Sequence, residues 1–146
     1  MSSKTVFITG GSRGIGRAIA LKLAAHGANI VIAAKSVTED PRLGGTIYSV
    51  AQEIEQLGAK ALALPCDIRN EQKVQHAVEQ ALATFGSIDV LINNASAIYL
   101  SNTEQLTVKQ FDLMHDINLR GTFMVAKYCL PHLKAAAGHI VTLSPP

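Results

Sequence analysis

A glycine-rich segment directly after the first apolar run constrains the fold more than any other feature of the chain. It reads Thr9-Gly10-Gly11-Ser12-Arg13-Gly14-Ile15-Gly16, and after it apolar residues recur at helical spacing. Glycine is needed where backbone turns with positive φ or approaches a ligand with no Cβ in between. A helix N-terminus offers unpaired N–H groups to an anion. The segment therefore predicts a strand-to-helix turn that holds a pyrophosphate. The alternative is an ordinary glycine-rich turn.

Strand-like and helix-like segments alternate along the rest of the chain. Apolar runs typical of buried strands are residues 5–9, 30–34, 61–64, 88–92 and 140–143. Segments of helical period lie between them, at residues 47–57, 74–85 and 107–133. Unbroken alternation indicates a parallel sheet with helices on both faces, which is an α/β fold.

Composition excludes several classes of function. With 146 residues the chain is one domain at most, and 48% hydrophobic residues are ample for a core. A net charge of +2, without a basic stripe, argues against nucleic acid as a partner. Two distant cysteines and scattered histidines predict no disulfide and no metal site. We expect no signal peptide, no membrane span and a cytoplasmic location.

The end of the second strand decides which dinucleotide is expected. NAD-binding folds commonly carry an acidic residue there for the ribose 2′-hydroxyl, whereas NADP needs a cation for its 2′-phosphate. Here Ala34 fills the acidic position, Lys35 follows it, and Arg13 projects from the glycine turn toward the same side. Two cations would pair with a phosphate, so NADP(H) is favoured. The alternative is that both are ordinary solvated charges, and Arg42 is either a further contact or a loop cation.

Five motifs in chain order resemble the short-chain dehydrogenase/reductase family. They are Thr9-Gly10-x-x-x-Gly14-x-Gly16, Cys66-Asp67-Ile68, Asn93-Asn94-Ala95, Asn118 within Asp116-Ile117-Asn118-Leu119-Arg120-Gly121, and Ser144. The resemblance covers the whole chain. It implies a Rossmann-type doubly wound sheet with partial strand order 3-2-1-4-5, in which residues 1–146 are the N-terminal part of a longer domain. It also implies an NADP(H)-dependent oxidoreductase that interconverts a carbonyl and an alcohol, and a homo-oligomer, either dimer or tetramer.

The resemblance assigns the cofactor contacts residue by residue. Asp67 would accept a hydrogen bond from the adenine amino group and Ile68 would contact the ring edge; the alternative for Asp67 is turn formation or helix capping before Glu71. Ala95 would let the nicotinamide-side ribose lie close, and Ser96 stands where many relatives have glycine. The full set of expected cofactor contacts is Gly10, Ser12, Arg13, Gly14, Ile15, Gly16, Lys35, Asp67, Ile68, Asn94, Ala95 and Ser96.

Ser144 and Asn118 are the expected catalytic residues. The Ser144 hydroxyl would hydrogen-bond the substrate oxygen, and Asn118 would bend its long helix and hold a water of a proton relay. An Asn that only satisfies backbone groups is the rival interpretation. We expect Phe111, Met114 and Phe123, on the same helix, to face the sheet.

The family's catalytic Tyr, with a Lys four positions later, has no counterpart in residues 1–146. We therefore expect this chain to be inactive alone. It would be either the visible portion of a longer protein or a truncation that needs a partner, because the fifth strand would otherwise remain an apolar edge. The alternative function is a noncatalytic NADP(H)-binding sensor or scaffold.

Overall fold

A computed structural model describes residues 3–144, which form a five-stranded parallel sheet flanked by helices. The strands lie in the order β3-β2-β1-β4-β5. Their bounds are β1 Thr5–Thr9, β2 Asn29–Ala34, β3 Ala61–Pro65, β4 Val90–Asn93 and β5 His139–Thr142. The predicted α/β class, parallel sheet and partial strand order are confirmed.

Helices connect the strands, and local capping chemistry starts several of them. Their bounds are α1 Gly14–Ala25, α2 Ile47–Gln56, α3 Glu71–Phe85, α4 Val108–His115 and α5 Thr122–Ala135, with a π-helical segment at Asp116–Gly121 between the last two. Thr46 and Thr107 form capping boxes at α2 and α4, and Asn70 caps α3 through its side chain. These caps satisfy N–H groups that the first helical turn leaves without partners.

Alternate residues of the central strands pack into two separate hydrophobic layers. Ile30 and Ile32 of β2 pack in the layer under α1 and α2, whereas Val31 and Ala33 pack in the layer under α3 and α5. Strand side chains alternate between faces, so a strand covered on both sides is apolar throughout. This arrangement explains why the strand segments appear as continuous apolar runs, and it leaves the two ends of the sheet as the places for polar chemistry.

The long helical segment differs from the expectation. A π-helical turn at Asp116–Gly121 divides it, and Phe111 and Phe123 are 48% and 64% exposed rather than directed at the sheet. The π-helical turn widens the helix and rotates the face that follows it, so one helical period does not extend through the segment. The core side of α5 is instead formed by Met124, Val125, Cys129 and Leu133.

The outer strand β5 is exposed along its length. Ile140 and Val141 are 39% and 41% exposed, so within residues 3–144 this edge of the sheet is apolar and uncovered. In the same part of the chain, no helix has the length and apolar character needed to cross a bilayer.

Candidate dinucleotide site at the carboxyl edge of the sheet

A cavity of about 420 Å³ opens where the carboxyl ends of β1 to β4 meet. Ligands of open α/β sheets bind at this edge, where the strand order reverses. The structure brings most of the expected cofactor contacts together here: Gly10, Ser12, Arg13, Ile15, Lys35, Asp67, Ile68, Asn94, Ala95 and Ser96 line the cavity. The sequence-based expectation did not include Ala33, Ser36, Cys66 and Ile117, which also line it.

The glycine turn has the backbone geometry that its composition predicts. Gly14 adopts a φ of +56°, and a Cβ built on it would meet nothing within 4 Å. A Cβ on Gly16 would lie 2.5 Å from both the Gly10 carbonyl oxygen and Asn94 Nδ2, so helix and turn are in close contact. Among the described residues, the N-cap Arg13 makes no side-chain capping bond. The first N–H groups of α1 therefore face an open, Cβ-free cradle suited to phosphate oxygens.

Asn94 ties the end of β4 to the glycine turn. Its Nδ2 donates to the carbonyl oxygens of Thr9 and Gly10, at 3.2 and 3.0 Å. In return, Thr9 Oγ1 accepts from the backbone N–H groups of Asn94 and Ala95, at 3.1 and 3.0 Å. The Asn94 amide, expected as a cofactor contact, thus holds the turn in shape, while Ala95, whose side chain is no larger than a methyl group, lines the cavity.

Two cations lie at the corner of the cavity formed by the end of β2. The Arg13 guanidinium donates to the Ser36 hydroxyl, and Lys35 Nζ lies 3.9 Å from Asp67 Oδ2. The Lys35 side chain is 61% exposed, so its ammonium group can reorient. Ser36 was missed by sequence reasoning, although its position directly after Lys35 was the available signal.

The Asp67 carboxylate is held by Arg69. Arg69 Nη2 donates to Oδ2 at 2.7 Å, Nε donates to both oxygens at 3.0 and 3.2 Å, and the Arg69 backbone N–H donates to Oδ1 at 3.0 Å. These bonds to Arg69 are the main reason that the pKa of Asp67 is lowered to about 2. The bond from the Arg69 backbone N–H to Oδ1 forms the turn that was one alternative role for Asp67. The other alternative, capping of α3, is carried out by Asn70 instead. Adenine would have to share an oxygen that Arg69 already uses.

The adjacent Ile68 is buried at the wall of the cavity. A Cβ on Gly121 would lie 2.6 Å from Ile68 Cδ1, so the end of the π-helical segment is in contact with this side chain. Ile117, from the same segment, also lines the cavity. The two isoleucines form an apolar wall of the kind that a planar base can pack against.

Asn118 clamps the loop that follows β4. Its Oδ1 accepts from the Ala97 N–H at 2.9 Å, and its Nδ2 donates to the Ala97 carbonyl oxygen at 2.8 Å. The residue lies within the π-helical segment, as its expected role in bending the helix implies. Both side-chain atoms contact backbone groups, which is the geometry of the rival interpretation, and Asn118 does not line the cavity.

Ser144 lies just after the carboxyl end of β5, at the same edge of the sheet as the glycine turn. The Leu143 N–H donates to the Asn93 carbonyl oxygen at 3.0 Å, which continues the sheet ladder up to Ser144. Ser144 is exposed and is not among the lining residues of the cavity. Pro145 and Pro146, which follow Ser144 in the sequence, lie outside the described residues.

The remaining titratable groups near the cavity do not form a reactive cluster. Burial, followed by the charge of Asp67, raises the pKa of the Cys66 thiol to about 11, so the sulfur is a neutral wall atom at physiological pH. Within residues 3–144, no group of three His, Cys, Asp or Glu side chains is placed to hold a metal ion. The cavity is therefore equipped to bind an anionic, base-containing ligand, with backbone donors, two cations and an apolar wall.

Comparison with known proteins identifies the family. The profile of the family described as short chain dehydrogenase matches residues 4–145. Hydroxysteroid dehydrogenase-like protein 2 from Danio rerio is 57% identical over 143 residues, covering 97% of this chain and 34% of that protein. The chain therefore spans about a third of the length of this relative.

Solved structures agree with this assignment. A short chain dehydrogenase from Mycobacterium thermoresistibile superposes with a TM-score of 0.95 at 51% identity, covering 99% of this chain and 52% of that one. An alcohol dehydrogenase from Thermococcus sibiricus complexed with 5-hydroxy-NADP is 32% identical, with a TM-score of 0.87, over 95% of this chain and 57% of that one. A short chain dehydrogenase from Mycobacterium paratuberculosis bound to NAD, at 24% identity and TM-score 0.89, shares the fold over 98% of this chain and 56% of that one. With its glycine turn, parallel sheet and matched profile, the chain belongs to the short-chain dehydrogenase family of oxidoreductases.

Proposed function

We propose that this chain is the nucleotide-binding part of an NADP(H)-dependent oxidoreductase that interconverts a carbonyl and an alcohol. The observation that carries the cofactor choice is the corner at the end of β2. There Arg13 and Lys35 line the cavity beside Ser36, and Ala34 stands where a carboxylate would repel a phosphate. A 2′-phosphate would gain charge-assisted bonds from these groups.

The rest of the cavity fits the remainder of a dinucleotide. The open space in front of Gly14 and the N-terminus of α1, where the N-cap Arg13 makes no side-chain capping bond, suit the pyrophosphate. Ile68 and Ile117 suit the adenine ring, and Ala95 leaves room for the ribose on the nicotinamide side. The relative from Thermococcus sibiricus, complexed with 5-hydroxy-NADP, supports a dinucleotide that carries a 2′-phosphate. The NAD-bound structure from Mycobacterium paratuberculosis shows the same fold with the other cofactor.

Carbonyl reduction needs a hydride, which bound NADPH supplies. It also needs one group that stabilises the charge on the substrate oxygen and another that donates a proton to it. We assign the first of these tasks to Ser144, whose hydroxyl would hydrogen-bond the substrate oxygen. We assign Asn118 a positioning task, because its clamp on Ala97 holds the loop that begins with Ala95 and Ser96. In the complete protein, the proton donor would be a Tyr tuned by a Lys four positions later. Family membership also suggests a homo-oligomer.

Titration of the complete protein with NADPH and NADH tests the cofactor assignment. One charge-assisted bond contributes roughly 1.5–3 kcal/mol, so NADPH should bind at least about tenfold more tightly. Lys35→Asp should erase or invert this preference. Lys60→Asp, at an exposed position before β3 and outside the cavity, is the matched control and should leave the preference unchanged. Equal affinities of the wild-type protein for the two cofactors would contradict the assignment.

A second candidate is a noncatalytic NADP(H)-binding sensor or scaffold, favoured by the Asn118 amide, which bonds to the Ala97 backbone rather than lining the cavity. Activity separates the two. A polypeptide ending at Pro146 should show no turnover, whereas the complete protein should oxidise NADPH with some small carbonyl compounds. Ser144→Ala should lower that rate by orders of magnitude with little change in cofactor affinity. A complete protein that binds NADPH tightly but is inactive across a broad carbonyl panel would favour the sensor.

A further inference from the structure

Asp67 places a negative charge in the corner where the proposed 2′-phosphate would bind. Its Oδ2 lies 3.9 Å from Lys35 Nζ, and both residues line the same cavity. An uncompensated carboxylate at this point would act against phosphate binding in two ways. It would repel the phosphate, and it would compete with it for the Lys35 ammonium group.

Arg69 compensates this charge from outside the cavity. Its guanidinium forms a two-pronged bond to Asp67, with Nη2 at 2.7 Å from Oδ2 and Nε at 3.0 Å from Oδ1. Arg69 itself is not among the lining residues of the cavity. Because Oδ2 already accepts a short bond from Arg69, Lys35 is held only loosely, and its mostly exposed ammonium group can turn to another anion.

We infer that Arg69 is a positioning residue for cofactor choice: by neutralising and orienting Asp67, it leaves the Lys35 ammonium group available to a 2′-phosphate. Arg69 need not touch the cofactor. This inference rests on the proposed NADP(H) preference. It adds a residue that the motifs did not single out, and it gives the Asp67–Arg69 pair a part in specificity.

The local turn allows a clean substitution. The bond from the Arg69 backbone N–H to Asp67 Oδ1, at 3.0 Å, does not depend on the Arg69 side chain. Arg69→Gln should therefore keep the turn while removing the guanidinium. Arg120 offers a matched control, because its Nη1 donates to the Arg69 carbonyl oxygen at 2.6 Å. Arg120→Gln removes the same charge from the same neighbourhood but leaves the Asp67–Arg69 pair intact.

The test compares two probes that differ only in the 2′-phosphate, adenosine 2′,5′-bisphosphate and adenosine 5′-monophosphate, by calorimetric titration of the complete protein. The ratio of their affinities isolates the phosphate contact, since any effect on adenine binding cancels. Arg69→Gln should lower this ratio roughly three- to tenfold, the size expected for a partly exposed charge interaction. Arg69→Lys should restore part of it, and Arg120→Gln should leave it unchanged.

A double-substitution cycle shows whether Arg69 acts through Asp67. In an Asp67→Asn background no carboxylate remains to be neutralised, so adding Arg69→Gln should not change the ratio further. An unchanged ratio in Arg69→Gln alone, or an equal fall with and without Asp67, would overturn the inference while leaving the NADP(H) assignment intact. A wild-type protein that binds both probes equally would overturn the assignment itself, and with it this role for Arg69.

Discussion

Replacing Gly16 with alanine tests whether close contact between α1 and the glycine turn builds the cofactor site. The added Cβ would lie 2.5 Å from the Gly10 carbonyl oxygen, 2.5 Å from Asn94 Nδ2 and 3.0 Å from Gly11 Cα. Two of these atoms are backbone, and the Asn94 amide is fixed by its bonds to Thr9 and Gly10. The clash therefore cannot be relieved by a side-chain rotation alone, and helix and turn must move apart.

The expected loss of stability follows from opposing contributions. Forcing a methyl group into a filled site costs about 1–3 kcal/mol. Loosening the Asn94 bonds adds about 0.5–1.5 kcal/mol for each bond lost. Alanine in a helix recovers roughly 0.5–1 kcal/mol relative to glycine. The free energy of unfolding should therefore fall by about 2 kcal/mol, although helix propensity alone predicts a small gain.

Urea denaturation of the complete protein, with NADPH titration in parallel, measures both consequences. The denaturation midpoint should fall and NADPH affinity should fall with it, because the moved turn no longer presents its N–H groups correctly. Gly58→Ala is the matched control: its Cβ meets nothing within 4 Å, its positive φ brings a comparable strain of about 1–2 kcal/mol, and Gly58 lies outside the cavity, so NADPH affinity should stay unchanged. A Gly16→Ala protein as stable as wild type, with unchanged NADPH affinity, would refute the reasoning.

Three further outcomes are expected. Gly14→Val should abolish NADPH binding and leave the circular dichroism spectrum native, because the branched side chain enters the open space in front of the glycine turn, where the pyrophosphate would lie. Gly86→Val, also at a positive φ, of +81°, but at the C-terminal end of α3 rather than in the glycine turn, should keep binding. Retained binding in Gly14→Val would mean that the turn is only structural. Because Arg69 lowers the pKa of Asp67 from 3.8 to about 2, this carboxylate stabilises the fold above about pH 4 and loses that contribution as the pH falls toward 2. Between these pH values, the free energy of unfolding should therefore fall less steeply in Asp67→Asn than in the wild-type protein. An identical slope in the two proteins would count against a stabilising Asp67–Arg69 pair. Burial raises the pKa of Cys66 to about 11 and of Cys129 to about 12, so iodoacetamide at pH 8 should modify neither thiol until denaturant is added, as mass spectrometry would show.

The strands and the glycine turn were predictable because their signals are local. A strand buried on both faces is largely apolar, and residues 6–8 of β1 and 30–34 of β2 are apolar and buried. The fourth strand shows where such signals lose precision. It begins at Val90 rather than at Ile88, although Ile88 is fully buried, because burial alone does not require pairing in the sheet.

The helix containing Asn118 shows a different limit. The segment from residue 107 to 133 has helical spacing throughout, yet the structure divides it with a π-helical turn. A single extra residue in one turn leaves composition unchanged but rotates every face that follows. Phe123, which follows the π-helical segment, was therefore assigned to the wrong side, whereas the exposure of Phe111, which precedes it, has no such explanation. The contact between Asn118 and Ala97 could be seen only once both were placed.

By itself, the sequence determined the parallel α/β architecture, the strand-to-helix glycine turn and the residue types gathered at the carboxyl edge, since each depends on periodicity or on backbone freedom at neighbouring positions. Only the tertiary structure decided how the charged groups pair. The Arg13 guanidinium donates to Ser36, and Arg69 binds the Asp67 carboxylate. The Asn94 amide donates to the carbonyl oxygens of Gly10 and Thr9, which lie 84 and 85 residues earlier in the chain. Such pairings depend on distances across the folded chain, and a short-range pattern carries no information about which of several nearby partners a side chain will reach.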